Sequence, residues 1–196
     1  KIIQVERLLN LDVEPQLLAS ILSKKIAAGS NHILIDIPYG GGKMKTISDA
    51  KKLGKKFKKL AKHFNVKVKP VYTIGIEPIG NGFGPVLEMQ DVLSVLQNKK
   101  DCPQDLKKKS ILLAKKLLSL CGIFFPGHKA RKILESGKAY DKFKEIVNMQ
   151  NKFEDFDKRV SGLKLAKYQK IIYTKNDGKI IKIDNGKINL LCRVLG

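Results

Sequence analysis

Lys43 stands at the end of a glycine-rich stretch whose residue types could bind a ligand. The stretch is PYGGGKM, Pro38 to Met44, and it directly follows an apolar segment. A phosphate-binding Walker loop needs GxxxxGK followed by serine or threonine, whereas Lys43 is followed by Met44. Two interpretations remain open: a simple glycine turn, or a site where bare backbone lets a ligand approach a lysine charge.

A second set of polar side chains lies around the start of a predicted helix. Ser20 and Lys24 are four residues apart, so they share one helical face and could contact one ligand together. Asp12 precedes this helix, and it could equally be a helix-capping residue, just as Ser20 could be a small packing residue. The three histidines have no spacing that indicates a metal site, and no Ser-His-Asp arrangement is visible.

The elements that must position these residues follow from the hydrophobic pattern. Apolar residues at helical spacing predict helices over 15–29 and 46–64, and two apolar runs predict strands over 32–38 and 66–73. A strand, a long helix and a second strand form a βαβ unit, so we expect the two strands to be parallel. The glycine- and proline-rich loop from Ile74 to Pro85 then follows the second strand, where ligands bind in open α/β sheets.

The rest of the chain changes character twice. Residues 86–150 have a helical pattern broken at DCPQD and FFPGH, and a polar linker is predicted over 151–164. Residues 165–196 contain two β-rich runs around Asn176-Asp177-Gly178, which predicts a hairpin, followed by a short helix. We therefore expect an α/β fold, with part of a mixed or parallel sheet flanked by helices over 1–150 and an incomplete small α+β C-terminal domain over 165–196.

The net charge of +21 raises the question of a nucleic-acid partner. The lysines occur in nearly every predicted helix and no nucleic-acid-binding motif is present, so nucleic acid is not an expected partner. A nonenzymatic basic nucleic-acid-binding domain is kept as the alternative of another class. The three cysteines form no disulfide or zinc pattern, and no apolar run reaches the ~20 residues of a membrane span. We expect a cytoplasmic protein with no membrane partner.

Three segments of the chain, taken together, resemble the thymidine and pyrimidine-nucleoside phosphorylase family. The branch that they resemble most contains AMP phosphorylase and its bacterial thymidine phosphorylase relatives. The segments are VERLLNLDVEPQLLASILSKKIAAGSNHILIDIPYGGGK, EPIGNGFGPVLE and ILESGKAYDKFKEIVNMQ. The resemblance implies a homodimeric pentosyltransferase of nucleotide salvage. It would cleave the N-glycosidic bond of a nucleoside with phosphate as co-substrate, without an organic cofactor. Thymidine or another pyrimidine nucleoside is the leading substrate, and AMP is the alternative within this class.

The same resemblance implies roles for individual residues. Ser20 and Lys24 match the serine and lysine that contact the base, and Asp12 matches the aspartate that donates a proton to the leaving base. Lys43 matches a substrate-binding lysine, although GGGK is one residue shorter than the GxGAK of the family. The base-contacting arginine of the family falls on Val5, which makes Arg7 the nearest candidate.

Two further implications concern ions. The loop after the second strand resembles one that binds a potassium ion, at positions that fall here on Ile79, Gly82 and Asp91, where the family pattern has glutamate for Asp91. The phosphate-binding segments of the family, which include a KHS motif, match nothing in these 196 residues. We therefore expect the chain to be a C-terminal fragment that is inactive alone, because phosphate must be positioned and its charge stabilised.

Overall fold

The structure is a computed structural model, and it describes residues 14–41, 44–151 and 155–195. Asp12, Arg7 and Lys43 lie outside these residues. Within the described residues the elements in chain order are α1 (Glu14–Ala27), β1 (His32–Tyr39), α2 (Ile47–Lys62), β2 (Lys67–Ile74), α3 (Pro85–Leu96), α4 (Gln104–Leu120), α5 (Pro126–Glu135), α6 (Lys138–Gln150), α7 (Phe156–Ser161) and α8 (Asn185–Leu195). The predicted α/β fold class is confirmed.

The two strands form one parallel pair, as the βαβ pattern predicted. The register runs from His32 opposite Lys67 to Tyr39 opposite Ile74, so both strands end at the same edge. Side chains alternate along β1: Ile33, Ile35 and Ile37 are buried on one face, and Asp36 points to the other face. The loops that follow β1 and β2 are therefore neighbours.

Helices α1 and α2 cover the isoleucine face of the sheet. Leu18 and Leu22 of α1 join Ala50, Leu53 and Phe57 of α2 in one buried cluster with the strand residues. Phe57 is only 1% exposed. Helix α2 begins after Thr46, whose Oγ1 accepts a hydrogen bond from the backbone N–H of Asp49 at 3.1 Å. This hydrogen bond is a standard N-terminal cap.

Helix α4 packs against the opposite face of both strands and against α5. A second buried cluster lies in this helical layer and contains Val95, Cys102 and Leu134. The predicted break at DCPQD lies between α3 and α4, and the break at FFPGH lies between α4 and α5. A further break at Ser136 and Gly137, which separates α5 from α6, was not predicted.

A short helix, α7, lies within residues 151–164, which the pattern predicted to be a linker. Its first residue, Phe156, is 2% exposed. The ring of Phe156 packs edge-on against Tyr140 and Phe143 of α6, at centroid distances of 6.0 and 5.8 Å. These contacts order this part of the chain against α6.

The predicted hairpin around Asn176-Asp177-Gly178 was wrong. Residues 163–184 contain no strand, and their side chains are nearly all exposed. Ile172 and Ile181, one in each β-rich run, are 86% and 92% exposed. The physical reason is that an isolated two-stranded hairpin is marginal in water without a third strand or a packing partner. The short helix predicted after the hairpin is confirmed as α8.

The cysteines are free and differ in their access to solvent. Cys102 is buried, Cys121 is exposed and Cys192 is intermediate. Among the helices of the described ranges, none is long and apolar enough to cross a membrane.

Candidate active site

A cleft of about 360 Å³ lies at the edge of the sheet where β1 and β2 end. Its walls are mostly apolar and come from α1, α2 and the end of β1. Its floor includes Gly41 and Gly75, one from each strand-end loop. A cleft at the carboxyl ends of parallel strands is the usual position of a ligand in an α/β fold.

A second cavity, of about 330 Å³, lies among helices α3 to α6 and is the less suitable site. Ser110 supplies its one polar side chain, and the remaining lining residues are aliphatic. An active site needs a few polar groups placed among apolar walls, so the cleft at the strand ends is the better candidate.

Ser20 and Lys24 are on the same face of α1 as two residues that line the strand-end cleft, although neither is itself a lining residue. Leu17 and Ile21 of α1 line the cleft, and the four positions follow the i, i+3, i+4, i+7 spacing of one helical face. Ser20 is half-buried and Lys24 is exposed. Among the described residues, neither side chain has a hydrogen-bond or ion-pair partner. Neither polar group is therefore engaged by another described side chain, and their predicted contact with a ligand stays a prediction.

Gly41 after β1 and Gly75 after β2 allow the backbones of the two strand-end loops to lie in close contact. A Cβ atom on Gly41 would lie 2.7 Å from the carbonyl oxygen of Gly75, and a Cβ on Gly75 would lie 2.8 Å from Cβ of Pro38. The N–H of Gly40 donates to the carbonyl of Met44 at 2.8 Å, and the N–H of Gly75 donates to Tyr39 at 2.7 Å. These two N–H groups are already bonded, so the described part of the loop is a tight turn packed on its neighbour rather than an open phosphate cradle.

The sequence did not indicate the contacts of Asp36, which also lines the cleft. Thr73 of β2 donates from Oγ1 to Oδ1 of Asp36 at 2.8 Å. Lys109 of α4 places Nζ 3.0 Å from the other carboxylate oxygen, with about a fifth of each side chain exposed. One carboxylate thus joins both strand ends to α4. An acidic residue inside the apolar strand HILIDIP was the available signal.

Asn185 is the second lining residue that the sequence did not indicate. Its amide donates to the carbonyl oxygens of Gly75 and Ile76, at 3.3 Å in each case. The start of α8 therefore contacts the loop after β2, at the edge of the cleft.

Carboxylates bind the backbone of the loop after β2. Oδ2 of Asp91 accepts from the N–H groups of Asn81 and Gly82, at 2.7 and 2.8 Å. Asp105 accepts from Gly80 at 3.0 Å, and Glu88 accepts from Gly84 at 3.0 Å. The structure thus brings together Asp91 and Gly82, two of the three positions at which a potassium ion was predicted.

The donor types suit a hard monovalent cation, because they are one carboxylate and backbone carbonyls. The Asp91 carboxylate already accepts two backbone N–H groups, and a cation would be held by this carboxylate with the carbonyls of Ile79 and Gly82. Such an ion would stabilise the loop, and the site stays a prediction. No cluster of three or more histidine, cysteine or carboxylate side chains suited to a metal occurs in the part of the chain that the structure describes.

Comparison with known proteins gives full-length similarity for this chain. No protein-family model matches it. It is 41% identical over 199 residues to a protein of Ralstonia nicotianae named "Putative thymidine phosphorylase", and these residues cover 38% of that protein. It is 39% identical to AMP phosphorylase of Methanococcus maripaludis and 36% identical to AMP phosphorylase of Natronomonas pharaonis, over 39% of each. All of this chain takes part in each alignment.

The chain spans about two fifths of the length of these curated relatives. The similarity to the thymidine and AMP phosphorylases that the motifs predicted is confirmed.

Proposed function

We propose that this chain, similar over its whole length to part of the thymidine and AMP phosphorylases, belongs to an enzyme that cleaves a nucleoside with inorganic phosphate. The enzyme would be a pentosyltransferase that releases a free base and a pentose 1-phosphate. The observation that carries the proposal is the cleft at the strand ends, lined by Leu17 and Ile21 of the α1 face that also holds Ser20 and Lys24. Neither polar side chain has a partner among the described residues. We propose thymidine, or another pyrimidine nucleoside, as the substrate.

The chemistry of the cleft suits a pyrimidine base. Its apolar walls can contact the faces of a planar ring, and the hydroxyl of Ser20 and the ammonium of Lys24 can bond the carbonyl and imide edge. Negative charge develops on the base as the glycosidic bond breaks. A nearby lysine stabilises this charge, and proton donation by Asp12 makes the base a better leaving group. Lys43 and Arg7 are further proposed substrate-binding residues.

We do not assign the phosphate-binding site of the proposed enzyme to this chain. The N–H groups of Gly40 and Gly75 donate within the strand-end loops, and the phosphate motifs of the family match nothing in the sequence. We therefore propose that the 196-residue chain binds the base without phosphorolysis. The complete enzyme, proposed to be a cytoplasmic homodimer, would carry the reaction.

A titration of the 196-residue chain with thymine, followed by amide chemical shifts, tests base binding. We expect shifts in α1 and in the two strand-end loops. Ser20→Ala and Lys24→Met should each weaken binding about tenfold, as expected for the loss of one hydrogen bond to the ligand. Ser23→Ala and Lys25→Met are matched controls on the same helix, and they should leave binding unchanged. Equal losses in both sets would count against the proposed site.

The proposed inactivity of the chain needs a separate assay. Thymidine and phosphate incubated with the chain should give no thymine, measured by chromatography. Substantial turnover would disprove the inactivity but not the function.

AMP phosphorolysis is the second candidate, favoured by the 36–39% identity to AMP phosphorylases. Titration with adenine and AMP beside thymine separates the two. Tighter binding of adenine or AMP than of thymine would favour AMP as the substrate. The protein groups that hydrogen-bond the imide edge of a pyrimidine differ from those that the edge of adenine requires.

A further inference from the structure

Lysines on one side of α2 form a continuous stripe, which we define as Lys51, Lys55, Lys58 and Lys62. Their spacing of i, i+4, i+7 and i+11 places all four within about 60° of the helix circumference. All four side chains are exposed. The lysine stripe is about 16 Å long at ~1.5 Å per residue.

Within the part of the chain that the structure describes, the four stripe lysines, like Lys59, lack the ion-pair partners that two other lysines of the same helix have. Lys52 pairs with Asp49, and Lys56 pairs with Glu14 of α1. Among the described residues, no stripe lysine has an ion-pair partner. Residues 50–76 contain nine lysines and no aspartate or glutamate. Like charges one turn apart destabilise a helix, so the stripe has a cost in the free chain that an anionic partner would remove.

The stripe does not belong to the strand-end cleft. Leu53 and Phe57 are the α2 residues that line the cleft. At ~100° per residue they lie on the opposite side of the helix from the stripe. The stripe therefore provides a separate surface, and an inference about it does not depend on the proposed function.

A polar recess continues the stripe at the far end of the sheet. It has a volume of about 360 Å³, and Lys62 is one of its lining residues. The others are Asn31, His32, Asn65, Val66 and Lys67. Nδ1 of His32 is paired with Oδ1 of Asn31 at 2.8 Å, and the side-chain amide donors of Asn31 and Asn65 beside the lysines suit phosphate and sugar oxygens. The stripe and the recess together form a basic surface that runs from α2 to the amino ends of the strands.

We propose that this basic surface binds the phosphate backbone of double-stranded nucleic acid without reading its sequence. Lysine is a strong point charge for phosphate but a poor bidentate reader of bases. The stripe itself contains no aromatic side chain on which unpaired bases could stack, which favours a duplex over a single strand. Its length exceeds the ~12 Å width of the major groove of B-DNA, so it can contact phosphates on both sides of a groove.

The surface differs from a membrane-binding one in its composition. Amphipathic helices that lie on a bilayer insert an apolar face into it, whereas the apolar face of α2, with Leu53 and Phe57, is buried against the sheet and α1. Anionic vesicles are therefore the competing ligand in the test. The net charge raised the question of a nucleic-acid partner, but the sequence alone did not locate this surface, because spacing does not reveal which lysines of a basic helix are paired.

Fluorescence anisotropy of a labelled DNA duplex of arbitrary sequence, titrated with the 196-residue chain between 50 and 200 mM salt, tests the proposal. Each phosphate contact contributes about 0.9 to the slope of log K against log salt, so the stripe should account for about 3.6. Replacing all four stripe lysines by glutamine should lower the slope by about this amount. Replacing them by arginine should preserve binding.

The matched control replaces four dispersed lysines, Lys99, Lys115, Lys138 and Lys179, by glutamine. It removes the same net charge, and most of the affinity should remain. Circular dichroism confirms that each variant folds. Equal losses in the two glutamine variants would overturn the proposal, because net charge alone would then explain binding. Negligible binding at 50 mM salt, or tighter binding to phosphatidylserine vesicles than to the duplex, would also overturn it.

Discussion

Asp36 is the residue through which the two strand ends and α4 are joined. Its carboxylate accepts from Thr73 and pairs with Lys109, and both members of the ion pair are mostly buried. Hydrogen bonds to charged groups stabilise proteins by about 1.5–3 kcal/mol when a buried partner would otherwise be left unsatisfied. We therefore expect this one acidic side chain to help hold the strand ends and α4 together beside the cleft.

Asp36→Ala should lower the free energy of unfolding by about 2 kcal/mol, because Thr73 and Lys109 both lose their partner. Asp36→Asn should cost less, about 1 kcal/mol, because its amide oxygen still accepts from Thr73. Urea denaturation measures both changes.

Lys109→Met is the partner variant for a double-mutant cycle with Asp36→Asn, because it removes the charge of the ion pair and keeps most of the apolar stem. The double variant Asp36→Asn with Lys109→Met should be less destabilised than the sum of the two, since the two side chains interact directly. Additive effects, or an Asp36→Ala variant as stable as the unaltered chain, would show that the contacts of Asp36 with Thr73 and Lys109 do not contribute to the free energy of unfolding.

At the residue scale, the sequence indicated which types could bind a ligand but not all of their contacts. Helical spacing predicted that Ser20 and Lys24 share one face, and Leu17 and Ile21 of that face line the cleft, but the roles of Ser20 and Lys24 stay predictions. Asp36 was visible as an acidic residue in an apolar strand, but its partner Lys109 lies far along the chain. Such a pairing depends on how α4 packs on the sheet, which local pattern does not specify.

Helix α2 connects the strands that form the cleft, and its start depends on Thr46. The side-chain oxygen of Thr46 accepts from the N–H of Asp49 at 3.1 Å and donates to its carboxylate at 2.7 Å. This reciprocal arrangement is related to the capping box.

Thr46→Ala should lower the free energy of unfolding by about 1 kcal/mol, because a helix N–H loses its acceptor. The midpoint of urea denaturation measures the effect. Thr46→Ser keeps the oxygen and should stay within about 0.5 kcal/mol of the unaltered chain. If alanine and serine behaved alike, the cap would not contribute to stability.

Helix α8 has a pH-sensitive start. The backbone N–H of Lys187 donates to Oδ1 of Asp184 at 3.0 Å. This hydrogen bond lowers the pKa of Asp184 from its ordinary 3.8, with smaller contributions from the N–H of Gly186 and nearby lysines and an opposing effect of desolvation. Because the pKa is lower in the folded state, the stabilisation is fully present above the ordinary pKa and is lost as pH falls through the folded value.

The side-chain carboxyl resonance of Asp184 should therefore titrate with a midpoint below 3.8. The amide shifts of α8 should change in the same pH range and stay constant between pH 5 and pH 7. Asp184→Asn keeps an oxygen acceptor without a titrating group, and should remove this pH response from α8. A midpoint above 3.8 would contradict the hydrogen bond.

At the element scale, local pattern predicted the sheet and its neighbours well. The strand predicted over 32–38 is His32–Tyr39, and the helix predicted over 46–64 is Ile47–Lys62. These elements bury one face each, so their sequence period is clear. The hairpin prediction was wrong because its two β-rich runs bury no face. Its turn signal is local, but strand pairing there needs apolar contacts with other elements, and residues 163–184 have almost none.

The whole molecule carries a net charge of +21, and its folded state concentrates that charge. Self-repulsion destabilises a compact state, and salt screens it. The basic surface on α2 contributes to this repulsion, since its stripe lysines have no ion-pair partners among the described residues.

Raising sodium chloride from 20 to 300 mM should therefore raise the thermal unfolding midpoint by about 3 °C, equivalent to about 1 kcal/mol for a chain of this size. Differential scanning calorimetry measures the shift. The glutamine variant of the lysine stripe should show a smaller dependence on salt, because it starts with less repulsion. A midpoint that did not change with salt would mean that charge repulsion has little effect on stability.

Only one of the two buried clusters that the structure describes contains a cysteine, so alkylation can report the opening of that cluster alone. Cys121 is exposed, whereas Cys102 is 3% exposed and packs in the helical cluster with Val95 and Leu134. An alkylating reagent must react with a thiolate in contact with solvent, so Cys121 reacts in the native state and Cys102 waits for the helical layer to open. The alkylation rate of Cys102 thus reports the opening free energy of that layer. The cluster between the sheet and helices α1 and α2 contains no thiol among its described residues, so cysteine alkylation cannot detect its opening.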